Sequence, residues 1–215
     1  RIIQHRGQES AGIATFEGAT HQHKGMGLVH EVFDKENLDE LKGTCGIGHV
    51  RYSTTGSSKA ENAQPIIVTT SAGDVALAHN GELVNAAALR DELQKKGWAF
   101  ITTTDSEIII RMLANELVQN PDVNKAAKEL MSMICGSYSL VFMVNGRVYA
   151  LRDPLAIRPL SLGKIPGGYA VASESVVFEA LGGELVRDVE PGEVVEITSE
   201  GFKSSRIVSP KRHAH

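Results

Sequence analysis

The sequence predicts an α+β fold, and three observations carry that reading. Strand-like segments, alternating or continuously apolar, cluster towards both ends of the 215-residue chain. Two or three segments with helical periodicity lie centrally, which is not the strict βαβα order of a parallel sheet. Turn signals are frequent and evenly spaced, so the elements are short. No linker, repeat or low-complexity segment interrupts the chain, and one domain over residues 1–215 is expected. Its length suffices for a full core, since ~150 residues already bury roughly 70% of their unfolded surface.

Taken in order, residues 1–6 read as a helix end stopped by Gly7. Residues 12–16 and 20–29 read as strands joined at Glu17-Gly18, and 34–41 as a short helix before Gly43. Residues 44–52 form a glycine-interrupted buried strand. Residues 53–64 are small, polar and aperiodic, a long loop of the kind that is functional or disordered. A hairpin of 65–70 and 75–79 follows around Ser71-Ala-Gly-Asp74. Asn85 is placed to cap a helix running to Lys96, with Gly97 closing it. Residues 98–102 read as a strand, and Thr104-Asp-Ser-Glu107 as a capping box before an apolar helix over 107–118. Ala127, Leu130, Met131 and Ile134 mark a further helix. Asn145-Gly146 joins strands 138–144 and 147–151. Strands 159–163 and 169–172, a helix 175–181, and strands 185–189, 194–198 and 202–208 complete the pattern.

Composition narrows the function. Hydrophobic residues at 42% and charged residues at 22% exclude wholesale disorder. A net charge of -4 argues against nucleic acid as partner. No apolar run approaches the ~18 residues of a membrane span, so no membrane association is expected. Two cysteines are too few for a disulfide framework, and with no signal peptide visible a cytoplasmic location is expected. The chain begins at Arg1 rather than methionine, so a domain truncated at both ends is expected.

Several residues could carry chemistry, each with a plainer alternative. Cys45 and Cys135 read first as structural thiols, and as candidate nucleophiles second. His21 and His23 alternate on a strand, but no third ligand has suitable spacing, and no metal site is expected. His213 and His215 lie in a basic tail and read as a solvated end. Asn80-Gly81 is either a hairpin turn or the end of strand 75–79, where an amide side chain and a backbone N–H would offer two uncharged donors to an oxyanion. Arg51 is a surface ion pair or a fork for a carboxylate or phosphate. Asp105, at a helix start, answers the helix dipole or faces a substrate ammonium. Spacing does not show whether Arg51 and Asp105 meet.

Longer motifs add to this. Gln4-His-Arg-Gly-Gln-Glu-Ser-Ala-Gly-Ile13, Gly48-His-Val-Arg-Tyr-Ser-Thr54, Ala78-His-Asn-Gly-Glu-Leu83, Thr104-Asp-Ser-Glu107 and Arg152-Asp-Pro-Leu-Ala-Ile-Arg-Pro-Leu160 together resemble the class II glutaminase domain of the amidophosphoribosyltransferases. Ala172-Ser-Glu-Ser175 and Val189-Glu-Pro-Gly-Glu193 extend the match along the whole chain. The resemblance implies an N-terminal-nucleophile αββα sandwich, two antiparallel sheets between helical layers. It implies that a cysteine thiolate at a mature N-terminus attacks the glutamine side-chain amide with its own α-amine as base. Asn80 and Gly81 would form the oxyanion hole, Arg51, Thr54 and Asp105 would bind glutamine, and Arg6 and Gly7 would support the nucleophile's end.

Two departures stand out. The N-terminal Cys-Gly is absent, and Cys45-Gly46, being internal, reads as a decoy. These 215 residues are therefore expected to bind glutamine without hydrolysing it. Ala156 stands where the family often has glycine. For the complete family protein the resemblance implies a C-terminal phosphoribosyltransferase domain, ammonia transfer to phosphoribosyl pyrophosphate in the first committed step of purine biosynthesis, and homo-oligomers. It implies Mg2+ and, in some members, a 4Fe-4S cluster there, with no cofactor in this domain. The alternatives are another class II glutamine amidotransferase and a non-catalytic glutamine-binding module.

Overall fold

Side chains alternate between the two faces of a strand, and in the computed structural model, which describes residues 1–52 and 58–209, that parity builds the layers. The central sheet has six antiparallel strands in the order β12 (Phe202–Arg206), β11 (Glu193–Ile197), β7 (Arg147–Arg152), β6 (Gly136–Val144), β5 (Gly73–Leu83) and β4 (Ile66–Thr70). On one face Ile66, Val75, Leu77, Leu140, Phe142, Tyr149, Leu151 and Val194 enter the largest core. There they meet α3 (Ala86–Lys95), α4 (Asp105–Gln119) and α5 (Val123–Met133). Helix α4 is apolar nearly all round, with Ile108, Ile109, Ile110 and Leu113 at most 1% exposed, because it is covered by the sheet and both neighbouring helices.

The other face, carrying Ile67, Ala76, Val141, Met143, Val148, Ala150, Val195 and Ile197, packs against two smaller sheets. One comprises β2 (Thr20–Met26), β1 (Ser10–Phe16) and β3 (Cys45–Arg51). It sends Ala14, Phe16, Cys45 and Ile47 inward. The other comprises β10 (Glu184–Asp188), β8 (Ser161–Ile165) and β9 (Gly168–Ala172), and contributes Leu162 and Val171. Short helices form the fourth layer. Ala11 and Ile13, on the outward side of β1, cluster with Val29, Val32 and Phe33 of the α1 (Val29–Val32) region, and α2 (Lys35–Glu40) follows. Helix α6 (Val176–Ala180) lays Phe178 over Gly163, where any side chain would overlap the ring.

The α+β class and the αββα layering are therefore both present, with one correction: the second sheet layer is two separate three-stranded sheets. Five local expectations also change. Residues 1–6 hold only a 3-10 turn, Gln4–Arg6. Strand β5 does not stop at His79 but runs to Leu83. Residues 98–102 are not a strand, because side chains take up the backbone groups of 101–104. Glu107 accepts from Ile101 and Thr102 N–H, Asn62 from Thr103 N–H, and Arg90 donates to the Thr102 and Thr104 carbonyls. Glu107 thus reaches past Thr104, and no capping box forms with it. Asn85 does precede α3, but its amide clasps Met133 O and Cys135 N–H at the β6 entry instead of capping the helix. No described helix is long and apolar enough to cross a membrane.

Candidate active site

The site grows from an unpaired strand edge. Strand β4 pairs with β5 only from Ile66↔Leu77 onward. Before it stands Pro65, which has no N–H to continue the ladder. Strand β5 nevertheless continues to Leu83, paired with β6 on its other side. One edge of residues 79–83 is thus left without a strand. Backbone groups in an antiparallel ladder alternate in direction. His79 N–H points to the open edge and donates to Gln64 Oε1 at 2.7 Å. Leu83 N–H points the same way and donates to Asp105 Oδ2 at 2.9 Å.

Gly81 lies midway between them, with the same parity. Its cross-strand partner Tyr138 turns its own N–H and C=O away, to Asp153. The Gly81 N–H therefore faces the open edge, where the described residues offer it no acceptor. Asn80 projects beside it, and its Nδ2 is buried with no hydrogen-bond partner. Gly81 has φ +153°, and a Cβ there would run into Ser137 O, so only glycine fits. Asn80-Gly81 is therefore neither a turn nor a strand end.

Arg51 closes β3 at the neighbouring sheet and is 5% exposed. Its Nη1 lies 2.8 Å from Glu9 Oε1, while Glu9 Oε2 is buried and unpartnered. The surface ion pair weighed for Arg51 is thus a buried one. Gly7 lies flat on β3: a Cβ would come within 2.6 Å of the Arg51 and Val50 backbone, so no larger residue fits. Arg6 beside it donates to Glu174 Oε1 at 2.8 Å, and His5 bonds the same carboxylate.

Asp105 opens α4 and faces His79, with Oδ1 3.6 Å from His79 Nδ1. Burial alone would raise its pKa. The hydrogen bond and charge of His79 and the N–H groups of Leu83 and Ser106 outweigh burial and hold the carboxyl below its usual range. His49, two residues before Arg51, behaves oppositely. Burial first, then the charges of His79, Arg51 and Arg6, push it down to about 4, so the ring is neutral at pH 7.

These groups line one cavity of about 570 Å³, the size of an ordinary small-molecule site. Arg51, Asn80, Gly81, Asp105 and Arg6 all border it, with His49, His79 and Arg158. Gly7 supports it from behind, and Thr54 lies outside the described residues. Unpartnered buried side-chain atoms gather here too: His49 Nδ1, His79 Nε2 and Asn80 Nδ2 belong to lining residues. Buried polar atoms are normally paired, so this clustering marks a place where a polar ligand completes the structure. A buried fork, a buried carboxylate and two neutral donors can together hold a zwitterion and stabilise an oxyanion.

Neither cysteine takes part. The Cys45 thiol donates to Gly146 O at 2.9 Å in an apolar cluster, and burial pushes its pKa up; Cys135 is exposed at the β6 entry. The His23 ring bonds Val32 O rather than sharing a ligand face with His21. No three His, Cys, Asp or Glu side chains among the described residues converge to hold a metal ion. Sequence reading missed Glu9, Gln64, His79 and Ser106. An amide directly before a strand-blocking proline was the available signal for Gln64.

Comparison with known proteins gives the family. A family model described as "Glutamine amidotransferase domain" matches residues 49–180. The amidophosphoribosyltransferase of Archaeoglobus fulgidus is 46% identical over 212 residues, covering 99% of this chain and 46% of that protein. That of Methanothermobacter thermautotrophicus is 48% identical over 196 residues, covering 91% and 41%. The solved structure of glutamine phosphoribosylpyrophosphate amidotransferase from B. subtilis, complexed with ADP and GMP, superposes with a TM-score of 0.85 at 38% identity, covering 96% of this chain and 44% of that one. The chain spans less than half the length of these relatives.

Proposed function

Since this chain belongs to the glutamine amidotransferase domain family, we propose that its cavity hydrolyses glutamine to glutamate and ammonia, as the glutaminase half of an amidophosphoribosyltransferase. Two neutral donors, the edge-facing Gly81 N–H and the unpartnered Asn80 Nδ2, set between buried Arg51 and Asp105, carry the reading. Arg51 holds the α-carboxylate by its guanidinium fork. Asp105, kept ionised, holds the α-ammonium. The side-chain amide then reaches the open edge of β5.

A thiolate attacks the amide carbon, and the carbonyl electron pair moves onto oxygen, where Asn80 and Gly81 receive it. Such a donor is worth about 3–4 kcal/mol in the transition state. The C–N bond breaks, nitrogen leaves as ammonia after taking a proton, and water hydrolyses the thioester to glutamate. A thiol placed at the cavity wall by Arg6 and Gly7 supplies the nucleophile, with an α-amine of pKa roughly 7.7–8.0 as base. Cys45 and Cys135 do not line the cavity, so that thiol belongs to residues other than these 215. Thr54 assists glutamine binding. A second domain uses the ammonia to convert phosphoribosyl pyrophosphate to phosphoribosylamine, in a homo-oligomer.

The test is glutamate release by the longest natural polypeptide that contains this chain, with Cys45→Ala and Cys135→Ala together. Turnover within about twofold of the unsubstituted protein is expected. Loss of more than tenfold with the fold intact would place the nucleophile inside this chain and overturn the mechanism.

A further inference from the structure

Strand β4 would bring residue 64 opposite His79 if its register with β5 continued past Ile66↔Leu77. The backbone ladder stops there at Pro65, yet the edge is not left loose. The Gln64 side chain, 5% exposed, stands in for the missing strand. Its Oε1 accepts the His79 N–H at 2.7 Å, and its Nε2 donates to Ser106 Oγ at 3.1 Å. Ser106 Oγ meets His79 Nδ1 at 3.2 Å. His79 faces Asp105, which accepts the Leu83 N–H. This buried circuit grips the open edge on both sides of Gly81 and ties the oxyanion donors to α4.

We propose that Gln64 is a positioning residue for the oxyanion hole: its amide replaces a strand partner and fixes the direction of the Gly81 N–H and the Asn80 side chain. Gln64 acts through the β5 backbone and forms no bond with Arg51 or Asp105. The inference rests on the glutaminase reading above. It predicts a loss in the chemical step with ground-state binding spared. A donor displaced by ~1 Å costs up to about a hundredfold in rate.

The experiment uses the longest natural polypeptide carrying this chain, with glutamine as substrate and glutamate as the binding probe. Gln64→Met keeps the volume and removes both hydrogen bonds. We expect kcat for glutamine hydrolysis to fall ~10- to 100-fold. We expect KM for glutamine, and Kd for glutamate by calorimetry, to move less than threefold. An unchanged kcat, or a KM and Kd that rise in step with the loss of kcat, would overturn the proposal. Should Gln64→Met not fold, Ser106→Ala frees the far end of the same amide, and kcat falling with KM held is again the supporting result; unchanged kcat is the opposing one. A wild-type polypeptide that does not hydrolyse glutamine would refute the glutaminase reading itself, which separates the two failures.

Discussion

Asn80→Ala should separate activity from stability in opposite directions. In the free protein Asn80 Nδ2 is buried and makes no hydrogen bond. Truncation therefore breaks no native bond and removes a group whose desolvation goes uncompensated. Stranded polar groups of this kind cost ~1–3 kcal/mol. Alanine also fits the strand: residue 80 pairs with Ser139 inside the β5–β6 ladder. Stability should hold or rise by up to ~1 kcal/mol, which for a domain of this size is about 2–4 °C in Tm. The transition state, by contrast, loses one of its two donors, so kcat for glutamine hydrolysis should fall ~10²- to 10³-fold. Thermal denaturation and glutamate release on one preparation of the natural polypeptide read both numbers. A fall in Tm with kcat unchanged would mean that Asn80 is a structural strand residue, and the site assignment would fail.

Other consequences are equally specific. Arg51→Met strands the nearly buried Glu9 carboxylate and should destabilise by ~3–5 kcal/mol on urea denaturation. Adding Glu9→Gln should recover most of that loss, and a double variant no better than the single would refute the pairing. Ala156 sits at φ +52°, where a Cβ costs ~1–2 kcal/mol. Ala156→Gly, after the entropy glycine loses, should raise stability by about 0.5–1 kcal/mol, and a lower Tm would contradict this. His49 has its folded pKa depressed to about 4 against an unfolded 6.5. Below pH ~6.5 the unfolded chain therefore takes the proton first, and stability falls by up to ~3 kcal/mol between pH ~6.5 and ~4, while this group adds no slope above that window. His49→Gln should flatten that interval, and an unchanged slope would show that the ring is not held neutral.

Much of this architecture was legible in the sequence because period and punctuation acted locally. Asn145-Gly146 gives a hairpin wherever it lies between two apolar runs, and β6 and β7 pair across it as expected. What escaped was set by distant partners. Residues 98–102 carry the aromatic, β-branched composition of a strand. Their fate was decided by Glu107, Asn62 and Arg90 reaching in from three other elements. The site divides the same way. Arg51, Asn80, Gly81 and Asp105 belong to motifs that resemblance could read. Glu9 and Gln64 act only because β1 lies beside β3 and because β4 starts two residues late. Asn80-Gly81 shows the limit most sharply: the dipeptide that favours a turn elsewhere is held extended here by the full length of β6.

The proposed site holds one zwitterion that spans Arg51 and Asp105 with its side chain at the β5 edge. A crystal structure of the longest natural polypeptide soaked with glutamate tests it most directly. The α-carboxylate is expected on Arg51, the α-ammonium on Asp105, and a γ-carboxyl oxygen within hydrogen-bond distance of both Asn80 Nδ2 and the Gly81 N–H. Glutamate bound elsewhere, or bound here with its γ-carboxyl on Arg51 and its backbone at Asn80, would contradict it.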